Sequence, residues 1–223
     1  MNNSNLEEEV KKSKLKSMLF YDIEYEKQRK LYLRIKLTFD LYRQTKISVH
    51  ELLKHIKVSY EEFPDKVEQI FQSLGLWATP EIATLIELKS FFETHSITTI
   101  IDYGAGIGLW SSMIDNYMAN KNLKVIAYDL LQPHENKHCN YQLAYKQITN
   151  QIDLKQFDKT SVLMIIHPPK NSMMFINAIK SFSGNYLLLY EQPNSTDLLD
   201  YLTEQKDWKY VKMIDKIQLY QKN

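Results

Sequence analysis

The sequence predicts an α/β fold: a mainly parallel sheet ended by an antiparallel hairpin and preceded by a helical segment. Three observations predict it. All five glycines lie from Gly75 onward, three of them within Gly104 to Gly108, which separates a helical beginning from a mixed remainder. Beyond Thr79 short apolar runs alternate with amphipathic stretches of helix length, the pattern of parallel strands joined by right-handed crossovers. The last two runs, Trp208 to Ile214 and Ile217 to Tyr220, are too close for a crossover and must pair antiparallel through Asp215. Residues 1–75 therefore read as a helical N-terminal segment and residues 76–223 as the sheet domain.

The helical part opens with Ser4-Asn5-Leu6-Glu7, which fits a capping box, and Ser48-Val49-His50-Glu51 fits another. Between them Leu31, Leu33, Ile35, Leu37, Phe39 and Leu41 alternate as in a strand, while Leu31, Ile35, Phe39 and Tyr42 also share a helical face. With no turn residue nearby, helix is preferred. Pro64 suits the first turn of a helix carrying Val67, Ile70, Phe71 and Leu74, which Gly75 ends. Thr79-Pro80-Glu81 reads as the next helix start, with Thr79 as N-cap and proline at the first position, running through Ile82, Leu85, Leu88 and Phe92.

The sheet domain follows in order. Strands are expected at Thr98 to Tyr103, Lys124 to Tyr128, within Gln142 to Ile148, at Ser161 to Ile166 and at Tyr186 to Tyr190. Helices are expected at Leu109 to Met118, Ser172 to Phe182 and Thr196 to Glu204, before the terminal hairpin.

Composition limits the function classes. The chain has 223 residues, 44% of them hydrophobic and 25% charged, an ordinary globular balance. The net charge of +1 provides no global positive field for nucleic acid. No apolar run approaches the roughly 20 residues of a membrane span, and the polar, charged Met1 to Lys16 does not read as a secretory signal, so a cytoplasmic protein is expected. Cys139 is the only cysteine, which excludes an intrachain disulfide. His134 and His138 have no third ligand near them in sequence, so no metal site is expected.

The chemistry concentrates in Thr99-Ile-Ile-Asp-Tyr-Gly-Ala-Gly-Ile-Gly-Leu-Trp110. An apolar strand runs into glycines at alternate positions and then into a helix, the context in which a glycine turn lets a ligand approach bare backbone. A dinucleotide site wants its third glycine where Leu109 stands. The spacing from Asp102 through Gly104, Gly106 and Gly108 instead resembles motif I of the class I methyltransferases, (D/E)-x-G-x-G-x-G. That resemblance implies a Rossmann-like seven-stranded sheet of order 3-2-1-4-5-7-6, its last strand antiparallel, and S-adenosylmethionine as cofactor. It places Asp102 near the methionyl ammonium, and Tyr103, Gly104, Ala105, Gly106, Gly108 and Trp110 around the methionine and ribose. Asp129, ending the second strand roughly 20 residues past the glycines, suits the ribose hydroxyls. Leu130 and Leu131 would flank the adenine.

Ligands of open α/β sheets sit outside the carboxyl ends of the strands, where His167-Pro168-Pro169-Lys170 follows the fourth strand. The segment resembles motif IV of amino-methyltransferases, (D/N/S)-P-P-(Y/F), with His167 at the acceptor position and Lys170 in place of the stacking aromatic. A wider resemblance, over Trp77 to Gln192, is to methyltransferase-like proteins with W-P-P-Y at this point. It includes Trp77-Ala-Thr-Pro80 before the first strand and an acid, Glu191, closing the fifth. His167 is the candidate proton acceptor and a candidate cofactor contact, or else a loop-shaping residue, and Glu191 orients an acceptor or faces solvent. Trp77 and Trp110 either pack or wall the cofactor pocket. The expected acceptor is a nitrogen or oxygen of a small molecule or protein. Two rivals stand: a non-catalytic partner subunit that binds the cofactor or has lost it, and a nucleic-acid base methyltransferase, disfavoured by charge and by Lys170. Nothing in the sequence fixes an oligomeric state.

Overall fold

The structure, a computed structural model, describes residues 25–131, 144–169, 173–190 and 197–223. The Ser4 capping box, His134, His138, Cys139, Lys170 and Glu191 lie outside them.

Helix α1 spans 25–43 and settles the ambiguous stretch as helix. Leu31, Ile35, Phe39 and Tyr42 are buried, whereas Leu33 and Leu37 are 52% and 58% exposed. The strand-like alternation thus arises from a helix apolar on two faces, only one of which meets the core. The expected box opens α2 (Val49–Glu62): the Glu51 amide donates to Ser48 Oγ at 3.2 Å and the Ser48 amide to Glu51 Oε2 at 2.8 Å. Pro64 sits in the first turn of α3 (Pro64–Ser73), and Gly75 follows with φ +76°.

Helix α4 (Ile82–Thr94) begins later than the sequence suggests. Its N-cap is Glu81, which makes no side-chain cap bond, and Thr79 does not cap it. The reason is tertiary. The Ala78 carbonyl accepts from Trp110 Nε1 at 2.9 Å and the Trp77 ring stacks on His167, and these contacts hold the linker out of the helix.

The strands are β1 (Thr99–Tyr103), β2 (Lys124–Tyr128), β3 (Ile148–Thr149), β4 (Ser161–Ile166), β5 (Tyr186–Tyr190), β6 (Trp208–Ile214) and β7 (Ile217–Lys222). Between them lie α5 (Leu109–Met118), α6 (Met173–Ser181) and α7 (Asp197–Glu204). The sheet order is β3-β2-β1-β4-β5-β7-β6, with β7 antiparallel to both β5 and β6, as the resemblance implies. Elements α5, β2, β4 and β5 keep their expected bounds. Strand β3 meets the expected stretch only at Ile148 and runs on to Thr149, because residues 144–147 lie outside the sheet. The Tyr145 amide donates to the Ile107 carbonyl at 2.8 Å, and its ring packs on Phe39 and Tyr42.

Side-chain parity divides the core into two layers. Ile100, Val162, Met164 and Leu188 face α1 to α5, while Ile101, Leu163, Leu187 and Leu189 face α6 and α7. The N-terminal helices share one apolar cluster with the sheet. A polar bridge joins them to α5: the Tyr42 hydroxyl lies 3.1 Å from Ser112 Oγ and accepts from Asn116 Nδ2 at 2.9 Å. No helix among the described residues is long and apolar enough to cross a membrane.

The two faces of α1 give a direct test. Ile35→Ala is expected to cost about 2–4 kcal/mol, whereas Leu37→Ala should stay within about 0.5 kcal/mol of wild type in urea denaturation. Positions 35 and 37 would share a face in a strand, so equal losses would contradict the helix.

Candidate functional site

The site forms where β1 leaves the sheet. Gly104, Gly106 and Gly108 have φ of +84°, +57° and +73°, a region that side chains with a Cβ enter only with strain. The turn is fixed from β2, since the Gly104 and Ala105 amides both donate to the Tyr128 carbonyl at 2.9 Å. The three glycines differ in what surrounds them. A Cβ on Gly104 would stand 2.8 Å from the Phe175 ring, and one on Gly108 would stand 2.9 Å from Ile148. At Gly106 a Cβ would meet nothing within 4 Å, so this stretch of backbone faces open space.

Asp102 lies beneath the turn. It shares the parity of Ile100, which directs it toward α5, and it is 1% exposed. Its Oδ2 accepts from Ser111 Oγ at 2.6 Å, and the Ser111 amide also donates to it. Gly108 is the N-cap of α5 and has no side chain to offer, so a carboxylate from β1 satisfies the first turn of the helix in its place. Burial outweighs these bonds and pushes the Asp102 carboxyl up to about 6. Tyr103, of opposite parity, stacks on Tyr128 with centroids 4.5 Å apart and meets Phe175 edge-on. Burial raises its phenol well above the usual range.

Asp129 closes β2 on the open side of the turn. Its Oδ2 accepts from the Gly106 amide at 2.8 Å and its Oδ1 from the Leu131 amide at 3.1 Å. Each oxygen keeps a further lone pair for a ligand. Leu130 and Leu131 follow, 58% and 43% exposed. Large apolar side chains left in water beside an acid and bare backbone suit a ligand with an apolar ring and a polyhydroxyl part.

A second group gathers at the tips of β4 and β5. His167 has φ +55° although a proline follows, a strained backbone of the kind that clusters at functional sites. Its amide donates to the Tyr190 carbonyl at 2.7 Å. Its ring stacks on Trp77, 5.7 Å between centroids and 29° between planes, and meets Tyr190 edge-on. Burial lowers the His167 pKa, so the ring is neutral near pH 7. Tyr60, in the last turn of α2, lies within electrostatic reach of Tyr190, which brings the N-terminal helices to this end of the sheet.

The sequence singled out Trp110 without assigning its partner. Its ring is 7% exposed, and its indole N–H holds the linker that carries Trp77. Ser111 and Tyr190 escaped sequence reasoning. The parity of Asp102 was the available signal for Ser111, whereas Tyr190 offered only its place at a strand end. Among the described residues no cluster of His, Cys, Asp and Glu is fit for a metal. Two cavities lie elsewhere. One of about 300 Å³ is lined by Phe92, Ile97, Met118 and Leu123, and one of about 330 Å³ by Lys124, Ile126, Thr149 and Phe157.

No family model matches the chain, and no curated protein does. Among solved structures, a methyltransferase from Geobacter sulfurreducens aligns at 12% identity and a TM-score of 0.44, over 70% of this chain and 87% of that one. A protein assigned as a caffeoyl-CoA O-methyltransferase from Staphylococcus aureus aligns at 14% identity and 0.45, over 86% of this chain and all of that one.

The enclosed Asp102 has a pH signature. Folded protein holds its proton up to about pH 6, while the unfolded chain releases it near 3.8, so the native state binds more protons in that window and loses stability as pH rises. Relative to Asp102→Asn, wild type should lose about 2–3 kcal/mol between pH 3.5 and 7 in urea unfolding. Parallel curves for the two proteins would show that folding leaves the carboxyl's hold on its proton unchanged.

Proposed function

We propose that this chain is an S-adenosylmethionine-dependent methyltransferase acting on a nitrogen or oxygen acceptor of a small molecule or protein. The observation that carries the reading is the turn itself. Bare backbone at Gly106 lies open beside Asp129 and two exposed leucines, on a sheet of order 3-2-1-4-5-7-6.

The residues present fit the cofactor. Backbone at Gly104, Ala105 and Gly106 would line the methionine and ribose. Asp129 would take the ribose hydroxyls, and Leu130 with Leu131 the adenine. Asp102, Tyr103, Gly108 and Trp110 serve the same site from below: their side chains or backbone hold the turn, α5 and the Trp77 linker in place. Bound there, the cofactor would supply a methyl group made electrophilic by its sulfonium, for an acceptor's lone pair to take while the departing electron pair stays on sulfur. The acceptor's proton leaves to water or to a base. His167, neutral and at the tip of the strand beside β1, is the base this chain offers. Alignment and exclusion of water account for most of the acceleration such a transfer needs. Glu191, beyond the described residues, keeps its proposed role of orienting the acceptor.

A second reading, a degenerate partner subunit that has lost the cofactor, draws support from the Gly106 amide and the Asp102 carboxyl, which are bonded within the protein.

Calorimetric titration should show wild type binding S-adenosylmethionine, with Asp129→Ala weakened at least tenfold while its thermal melt stays cooperative. No heat and no thermal shift at millimolar cofactor would remove the enzyme reading. Because burial lowers the His167 pKa from its ordinary value, transfer should be level through neutral pH and fall only on the acid side. His167→Gln should be slower and lose that acid limb. An unchanged profile would assign His167 to shaping the loop.

A further inference from the structure

An exposed aromatic ring stands beside His167 at the tip of β4. Trp77 is a large ring, 47% exposed, at the same end of the sheet as the glycine turn, and it is held from two directions. Trp110 fixes the carbonyl of the next residue, and the neutral His167 ring covers part of the indole. His167 is itself held by its amide bond to Tyr190 and the edge contact with that ring. Exposed tryptophan pinned in this way has already lost most of the freedom that binding would take from it, and such rings dominate recognition sites. Trp110 and Trp208 are each 7% exposed, so Trp77 is the tryptophan available to a ligand.

We infer that Trp77 is the platform on which the methyl acceptor lies, and that the acceptor is a small, planar, conjugated molecule carrying its nucleophilic nitrogen or oxygen on the ring. This rests on the methyltransferase reading and names its substrate class. Three considerations select the class. The layer already on the indole, the His167 imidazole, lies within 29° of its plane, so a flat ligand continues a stack. A protonated amine, which tryptophan also attracts, has no lone pair to attack a methyl group. The net charge of +1 gives no help to a polyanionic acceptor. Met173, 59% exposed at the start of α6, adds apolar surface at this end.

Saturation-transfer NMR on the full chain tests this with 4-hydroxyquinoline and benzimidazole as planar probes and decahydro-2-naphthol as the saturated control. Wild type and Trp77→Phe should transfer saturation to both planar probes within threefold of each other. Trp77→Leu, which keeps apolar bulk without the ring, should lose at least fivefold, and the saturated control should show little transfer anywhere. Calorimetry with S-adenosylmethionine on the same three proteins separates the two sites: cofactor affinity lost in Trp77→Leu in step with probe transfer would make Trp77 a wall of the cofactor pocket and overturn the platform. Absence of planar-probe binding in wild type, equal binding in Trp77→Leu, or equal transfer to the saturated control would overturn the platform. Probe binding by a wild type that takes no S-adenosylmethionine would overturn its role as an acceptor site while leaving a planar-ligand site in place.

Discussion

A strand buried on both faces has to leave the sheet at its end, and at β1 it does so through backbone that ordinary side chains would strain. Everything at the carboxyl edge depends on that exit. Tyr128 fixes the turn through its carbonyl and Asp129 through its carboxylate, so the position of β2 relative to β1 determines where Gly106 points. The register pairing Asp102 with Ala127 and Tyr103 with Tyr128 brings the two strand tips level, which lets one acid reach the glycine amide. A slip of one residue would invert every side chain of the strand and take Asp102 away from α5.

The helices that precede the sheet belong to the same structure as the turn. Helix α1 is tied to α5 through Tyr42, and α2 brings Tyr60 toward Tyr190. One face of the sheet thus carries the helical layer that reaches the tips of β4 and β5, while α6 and α7 cover the other. Phe175 of α6 comes up beneath Gly104, so both layers support the turn.

Most of the architecture was legible because local and global signals agree. Where glycine, proline and capping residues punctuate an apolar run, as around α5 and β4, sequence bounds and structure coincide. Where tertiary contacts decide, they part. Thr79-Pro80 has the chemistry of a helix start, yet the bond from Trp110 to Ala78 holds that segment away from α4. The run before β3 has strand composition, yet Tyr145 finds its partners in Ile107 and α1. The glycine turn and Asp129 were readable because special backbone and a strand-end acid leave a mark in one-dimensional spacing. The stacking of Trp77 on His167 left none, since the two lie ninety positions apart and neither alone announces the other.

Helix α5 opens with three successive side chains that address three different parts of the molecule. Trp110 holds the linker before α4, Ser111 engages the acid of β1, and Ser112 meets the hydroxyl from α1. Each successive residue of a helix points about 100° further around the axis, and here every direction is taken. Adding or deleting one residue within that turn would rotate all three away from their partners together. A change of length at this junction would therefore cost the contacts to the linker, to β1 and to α1 at one stroke.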